Sequence, residues 1–190
     1  MARTVSLDSS PASARDAWRG ASRDEAQRSA HGTSIDRYYD QTWLDYRFVW
    51  LSGRNLAFHF GHYGDHVRTH AQALANANRV LAQRARVRPG ERVLDAGCGV
   101  GGSAFWLAHE CDAEVIGVTR VASQVAQARH LAAGQTPPHP PIFLQADYTV
   151  PPFRSRTFDV VWALESLCHA PDKAAFYREA ARVLLSLIHI

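Results

Sequence analysis

One stretch constrains this chain more than any other: Arg92 to Leu107, RVLDAGCGVGGSAFWL. Arg92–Leu94 read as a buried strand with Asp95 at its carboxyl end, and Gly97, Gly99, Gly101 and Gly102 follow as a turn. Ser103 to Ala108 then resume with helix formers and bulky apolar residues. Only glycine lets a backbone turn this tightly with positive φ and approach a ligand with no Cβ in the way. The helix that follows starts with N–H groups that have no partner within the helix. A strand, a glycine turn and a helix in this order predict a ligand crevice at the carboxyl end of the first strand of an open α/β sheet.

The segments after the turn fit that frame. Ala113–Thr119 is a β-branched run of the kind a parallel sheet buries on both faces. Val121–Ala133 reads as a helix, Gly134–Pro141 as a proline-rich loop and Ile142–Asp147 as a third strand. Phe158–Glu165 reads as a fourth strand, and Pro171-Asp172 opens a helix carrying Phe176, Ala180 and Val183. This alternation is the first half of a doubly wound domain. Before it, Asp65–Arg86 reads as a helix with Val67, Ala71, Leu74, Ala77 or Asn78, and Leu81 on one face, ended by Pro89-Gly90.

Upstream of residue 65 the character changes twice. Residues 1–34 are rich in Ala, Ser, Arg and Asp without apolar period, and read as a mobile tail. Residues 35–64 crowd in Tyr38, Tyr39, Trp43, Tyr46, Phe48, Trp50, Phe58, Phe60 and Tyr63. Any one of these rings is ordinary core; as a group they suggest a lid over a small-molecule pocket. His59, His62, His66 and His70 raise a metal site, because His66 and His70 would share a helix face. Gly61 and Gly64 break that register and no carboxylate repeats with it, so they read as surface or pocket histidines and no metal is expected.

Composition excludes several classes. Apolar content of 46% and charged content of 21% describe an ordinary globular chain. No apolar run is long enough for a transmembrane helix. The net charge of +3 is small and its arginines form no stripe, so nucleic acid is not an expected partner. Three cysteines without CxxC spacing suggest neither a disulfide frame nor a zinc site, which fits reduced thiols in the cytoplasm. The first 30 residues lack the apolar core of a signal peptide.

Asp95 decides the ligand. Gly97-x-Gly99-x-x-Gly102 satisfies a dinucleotide fingerprint, which alone is a weak signal. A carboxylate two residues before the first glycine would face a pyrophosphate and repel it. The second strand ends in Thr119, where a nicotinamide enzyme usually has an acid for the ribose hydroxyls. A ligand with an ammonium group and no phosphate suits Asp95, and S-adenosylmethionine is such a ligand.

VLDAGCGVGG resembles motif I of the class I S-adenosylmethionine-dependent methyltransferases. The chain is similar to their small-molecule group of sterol and tocopherol C-methyltransferases, glycine N-methyltransferases and natural-product methyltransferases. The resemblance runs through YYD (38–40), FHFGHY (58–63), GVTRVASQVAQAR (117–129), QADYTVPPF (145–153) and FDVVWALESLCHAPDK (158–173). It implies a Rossmann-like open parallel sheet under a helical, aromatic-rich cap at 35–90, with the cofactor domain at 91–184. It also implies that the backbone from Gly97 to Gly101 underlies the methionine and ribose portions and that Asp95 anchors the site. Thr119 and Gln124 would take the ribose, Asp147 the adenine amino group with Tyr148 beside the ring, and Tyr39 would close from the lid. Glu165 and His169 would border the methyl group and the acceptor, as catalytic candidates or as pocket walls.

The implied reaction is methyl transfer to a small-molecule acceptor, partly hydrophobic, at carbon, oxygen or nitrogen, by in-line displacement. The alternatives are a non-catalytic cofactor-binding or scaffold protein of the same fold, and a nicotinamide-dependent oxidoreductase, which Asp95 and Thr119 oppose. Tyr46–Gly53 departs from the Tyr-Glu-Trp-Gly-Trp-Gly stretch of the sterol enzymes, which points away from a sterol. Family members continue after ARVL into a fifth strand, whereas this chain has Leu185–Ile190, so a fragment with a non-native tail at 185–190 is expected.

Overall fold

The computed structural model describes residue 56, residues 59–135 and residues 137–186. The tail at 1–34, Tyr39 and the rest of the aromatic segment up to residue 55, and the final four residues lie outside the described residues. The elements are α1 (His70–Ala85), β1 (Arg92–Ala96), α2 (Gly102–Glu110), β2 (Glu114–Thr119), α3 (Ala122–Ala132), β3 (Ile142–Gln145), β4 (Val160–Trp162), a 3-10 turn (Leu167–His169) and α4 (Lys173–Val183).

Among the described residues, four strands form one parallel sheet in the order β3-β2-β1-β4. Arg92 to Ala96 pair with Glu114 to Val118, and Val93 to Asp95 pair with Val160 to Trp162. From β1 the chain steps outward through β2 to β3 and then returns to place β4 on the other side of β1. The crossover direction therefore reverses between β1 and β4, and open α/β sheets bind ligands at the carboxyl ends of such a switch point. Asp95 is one residue from the end of β1 and Glu165 lies three residues beyond β4.

Alternation along β1 divides the core in two. Val93 packs with Phe105, Leu107, Val115, Val125 and Phe143, on the face covered by α2 and α3. Leu94 packs with Ile116, Val118, Phe153, Phe158 and Val183, and Ala96 with Phe176 and Ala180, on the face covered by α4. Successive side chains of a strand point to opposite faces, so this is the layering that two-sided burial of a parallel sheet requires. It also puts Asp95 on the α2 face, directly under the glycine turn.

Two elements differ from the expectation. The first helix begins at His70 rather than Asp65, because Thr69 caps it: its side chain accepts from Gln72 N–H while the Gln72 side chain accepts from Thr69 N–H at 3.1 Å. His66 and His70 therefore do not share a helix. The buried face is also rotated from the expected one, to Ala73, Leu74, Asn76, Asn78 and Ala82, with Ala71 exposed. Two asparagines are tolerated there because both are bonded: Asn76 Nδ2 donates to the His62 carbonyl at 2.7 Å, and Asn78 Oδ1 accepts from Ser103 at 2.9 Å. At the other end, Leu184 bridges Phe158 in parallel and Leu185 N–H donates to the Phe158 carbonyl at 2.8 Å, so residue 185 joins the domain's hydrogen bonding.

Candidate active site

The carboxyl ends of β1, β2, β3 and β4 open onto a cavity of about 690 Å³. Of the residues nominated from sequence, Asp95, Gly97, Gly99, Thr119, Gln124, Asp147, Tyr148, Glu165 and His169 all line it. Gly101 does not: its α-carbon faces the core, where an added Cβ would sit 2.6 Å from the Phe143 ring, and Gly102 takes its place in the wall. Tyr39 lies outside the described residues.

The floor is the glycine turn, and backbone bonds fix its position. Gly97 and Cys98 N–H both donate to the Val118 carbonyl, at 2.9 and 3.0 Å, which pins the turn to the end of β2. Gly97 has φ of 88°, and a Cβ there would lie 2.3 Å from Ser166 Cβ. Glycine is required at 97 on both counts. Ser166 Oγ donates to the Ala96 carbonyl, and Tyr148 donates its hydroxyl to the Ser166 carbonyl at 3.0 Å. Tyr148 is also held edge-on against Phe176, with ring centroids 5.6 Å apart. One serine thus couples the ends of β1, β3 and β4.

Asp95 is 3% exposed, and its Oδ2 has no hydrogen-bond partner among the described residues. Burial pushes its carboxyl up to about 7. The neighbouring Cys98 thiol is raised by its own burial and by the Asp95 charge, so it is no nucleophile at neutral pH. A buried carboxyl without a donor is a poor neighbour for a phosphate and a good one for a cation. The ammonium group of an amino-acid ligand would supply both the missing donor and the missing charge.

The wall on the β2 side is polar and ordered. Thr119 Oγ1 donates to Gln124 Oε1 at 2.7 Å and accepts from Val121 N–H at 3.3 Å, and both side chains are buried. This leaves the Gln124 NH2 as the donating end of the pair, suited to a hydroxyl-bearing ligand. Asp147 Oδ1 accepts from the Thr149 amide and hydroxyl at 2.8 and 2.6 Å, and its Oδ2 lies 3.4 Å from Arg120 Nη1. Arg120 follows Thr119 directly at the strand end and went unremarked in the sequence. A cation there is a second departure from the acid of nicotinamide enzymes.

The mouth lies on the β4 side. Glu165 and His169 are both exposed, and Glu165 holds a left-handed φ of 55°. Its Oε1 accepts the Phe60 N–H at 3.0 Å, so the loop after β4 grips the aromatic segment across the cavity. Phe60 is 71% exposed and lines the rim. His59 beside it is 5% exposed. The sequence reads His59 as a surface or pocket histidine, and here it lines the pocket; among the described residues no three His, Cys, Asp or Glu side chains converge as metal ligands.

A four-stranded switch-point sheet, a glycine turn over a buried carboxyl and a cavity at the strand ends make an open α/β fold of the kind that class I methyltransferases have. The comparisons agree: residues 94–186 match the family model described as methyltransferase domain, and the chain carries a domain of that kind. It is 33% identical over 164 residues to cycloartenol-C-24-methyltransferase 1 of Oryza sativa subsp. japonica, covering 85% of this chain and 46% of that protein. It is 39% identical over 134 residues to 27-O-demethylrifamycin SV methyltransferase of Amycolatopsis mediterranei, covering 70% of this chain and 48% of that one. Among solved structures it is similar to the 4+2 cyclase SpnF, with a TM-score of 0.72 at 29% identity, covering 79% of this chain and 55% of that chain. The chain spans about half the length of these curated relatives. No described helix is long and apolar enough to cross a membrane.

Proposed function

We propose that this chain binds S-adenosylmethionine and supports transfer of its methyl group to a small, partly hydrophobic acceptor in the cytoplasm. The single observation that carries the reading is Asp95, a buried carboxyl under a glycine turn at the switch point whose Oδ2 has no donor among the described residues. Asp95 would take the cofactor's ammonium group, the Gly97–Gly99 backbone its methionine portion, and Thr119 and Gln124 its ribose. Asp147, with Tyr148 alongside, would take the adenine amino group, and Tyr39 would close from the lid. When bound, the cofactor supplies an electrophilic methyl whose leaving group is a neutral thioether, so positioning contributes much of the acceleration. Glu165 and His169 stand on the acceptor side, where they hold the acceptor or its proton. The relatives methylate carbon in one case and, by their names, an O-demethylated rifamycin in another, which supports a small-molecule acceptor without choosing the atom.

A second reading has its own support. SpnF shares this fold and is a cyclase, so a protein of this fold can do chemistry other than methyl transfer. Equilibrium binding of S-adenosylhomocysteine and of NADH separates the readings from an oxidoreductase. Saturable binding of the first, weakened at least tenfold in Asp95→Ala, is expected. Binding of NADH instead, or of neither, would overturn the assignment. Turnover of labelled S-adenosylmethionine on a phenol, alcohol and amine panel then separates a methyltransferase from a protein that only binds the cofactor.

A further inference from the structure

His59 is held by two elements and leaves one atom unused. Its segment is clamped to α1, where His62 N–H donates to the Ala73 carbonyl at 2.9 Å and Gly61 packs on Ala73. It is clamped to the loop after β4 through the Phe60 N–H and Glu165. His59 Nδ1 lies 3.0 Å from the Phe60 carbonyl. A carbonyl only accepts, so Nδ1 carries the proton, and in the neutral ring Nε2 is then a bare lone pair. That Nε2 is buried, belongs to a residue lining the cavity, and has no hydrogen-bond partner among the described residues. Burial lowers the imidazole's pKa, outweighing the opposing pull of the Phe60 carbonyl and of Glu165, so the ring stays neutral and the lone pair stays available. Buried polar atoms are nearly always satisfied, and one left over in a cavity wall calls for a donor from a ligand.

We propose that His59 Nε2 accepts a hydrogen bond from the acceptor, which is therefore a hydroxyl- or N–H-bearing molecule rather than an unactivated hydrocarbon double bond. The proposal rests on the methyl-transfer reading and narrows its acceptor class. It gives two buried acceptors of the cavity lining separate ligands: Asp95 meets a donor on the cofactor, and His59 meets a donor on the acceptor. Phe60, at the rim next to His59, offers its exposed ring to the apolar body of the same molecule. His59 touches the acceptor through this nitrogen as a neutral hydrogen-bond acceptor, and the same burial that keeps the ring neutral opposes its taking up a proton.

The test is ¹⁵N NMR of the histidine-labelled chain saturated with S-adenosylhomocysteine, titrated with phenol and, separately, with anisole, which has the same ring and no O–H. At pH 7 His59 should appear as the neutral Nδ1–H form, with its Nε2 resonance shifting saturably on adding phenol and remaining still with anisole. His59→Asn keeps a donor for the Phe60 carbonyl and loses the acceptor at Nε2, and should weaken phenol at least tenfold. His59→Gln, which puts an oxygen near the lost nitrogen, should recover part of that. A protonated or Nε2–H ring, phenol binding that leaves Nε2 unmoved, anisole binding as well as phenol, or no phenol binding would each overturn the proposal. Failure of S-adenosylhomocysteine to bind appears before phenol is added; it overturns the methyl-transfer reading, and this proposal with it.

Discussion

Asp95→Asn should gain stability relative to the ligand-free wild type as pH rises, because the wild type loses stability. In the fold the carboxyl titrates near 7, against 3.8 for the ordinary side chain, because burial penalises its charge. Between those values the folded state holds a proton that the unfolded state has released. The stabilising contribution is full below about 3.8, declines as pH rises, and is gone above about 7. Each pH unit in that window costs about 1.4 kcal/mol. Asparagine does not titrate, so its own packing cost is the same at every pH. The stability difference between Asp95→Asn and wild type should therefore swing toward the variant by roughly 3 kcal/mol from pH 5 to pH 8. Water entering the open cavity reduces this, so the figure is a ceiling. At about 2–4 °C per kcal/mol for a chain of this size, the relative melting temperature should move by roughly 6–12 °C. Differential scanning fluorimetry of both proteins across pH 5 to 8 reads it directly. Saturating S-adenosylmethionine should cancel most of the variant's advantage at pH 8, because the ammonium partner removes the wild-type penalty. A melting difference that does not change with pH would refute the burial argument.

Gly97→Ala should cost about 2–4 kcal/mol in urea unfolding, since it combines a left-handed φ with a Cβ driven into Ser166; a loss below about 0.5 kcal/mol would mean the turn is looser than described. Thr69→Ala removes the capping side chain of α1 and should lower stability by about 1 kcal/mol, with cofactor affinity unchanged by calorimetry. Tyr148→Phe deletes the hydroxyl that holds the Ser166 carbonyl; it should lower stability by about 1 kcal/mol and weaken S-adenosylhomocysteine severalfold, and an unchanged affinity would confine Tyr148 to a structural role.

The parts legible in the sequence were those that local chemistry fixes. The β1 turn follows from Gly97 and Gly99, and the buried strands from β-branched runs such as EVIGVT, so the parallel sheet and its cavity could be anticipated. Asp95 was singled out from its place at a strand end, and Thr119 and Asp147 were given ligand roles by the family resemblance; all three line the cavity. The start of α1 was misplaced because a capping box at Thr69 outweighed a periodicity that ran back to Val67. Gly101 was assigned to the ligand because sequence does not say which way an α-carbon faces; Phe143, far along the chain, fills the space that a side chain there would need. Arg120 and Ser166 were missed for a similar reason. Each matters through a partner distant in sequence, the Asp147 carboxylate or the Ala96 carbonyl, and no local pattern announces such a pair.

The central claim is that Asp95 is the counter-charge for a cationic, phosphate-free cofactor. Calorimetric titration of S-adenosylhomocysteine at pH 6, in buffers of different ionisation enthalpy, tests it most directly. The account predicts one-to-one binding that releases close to one proton per site, with the release abolished and affinity reduced at least tenfold in Asp95→Asn. Absence of saturable binding, or binding with no proton release and no loss in Asp95→Asn, would contradict it.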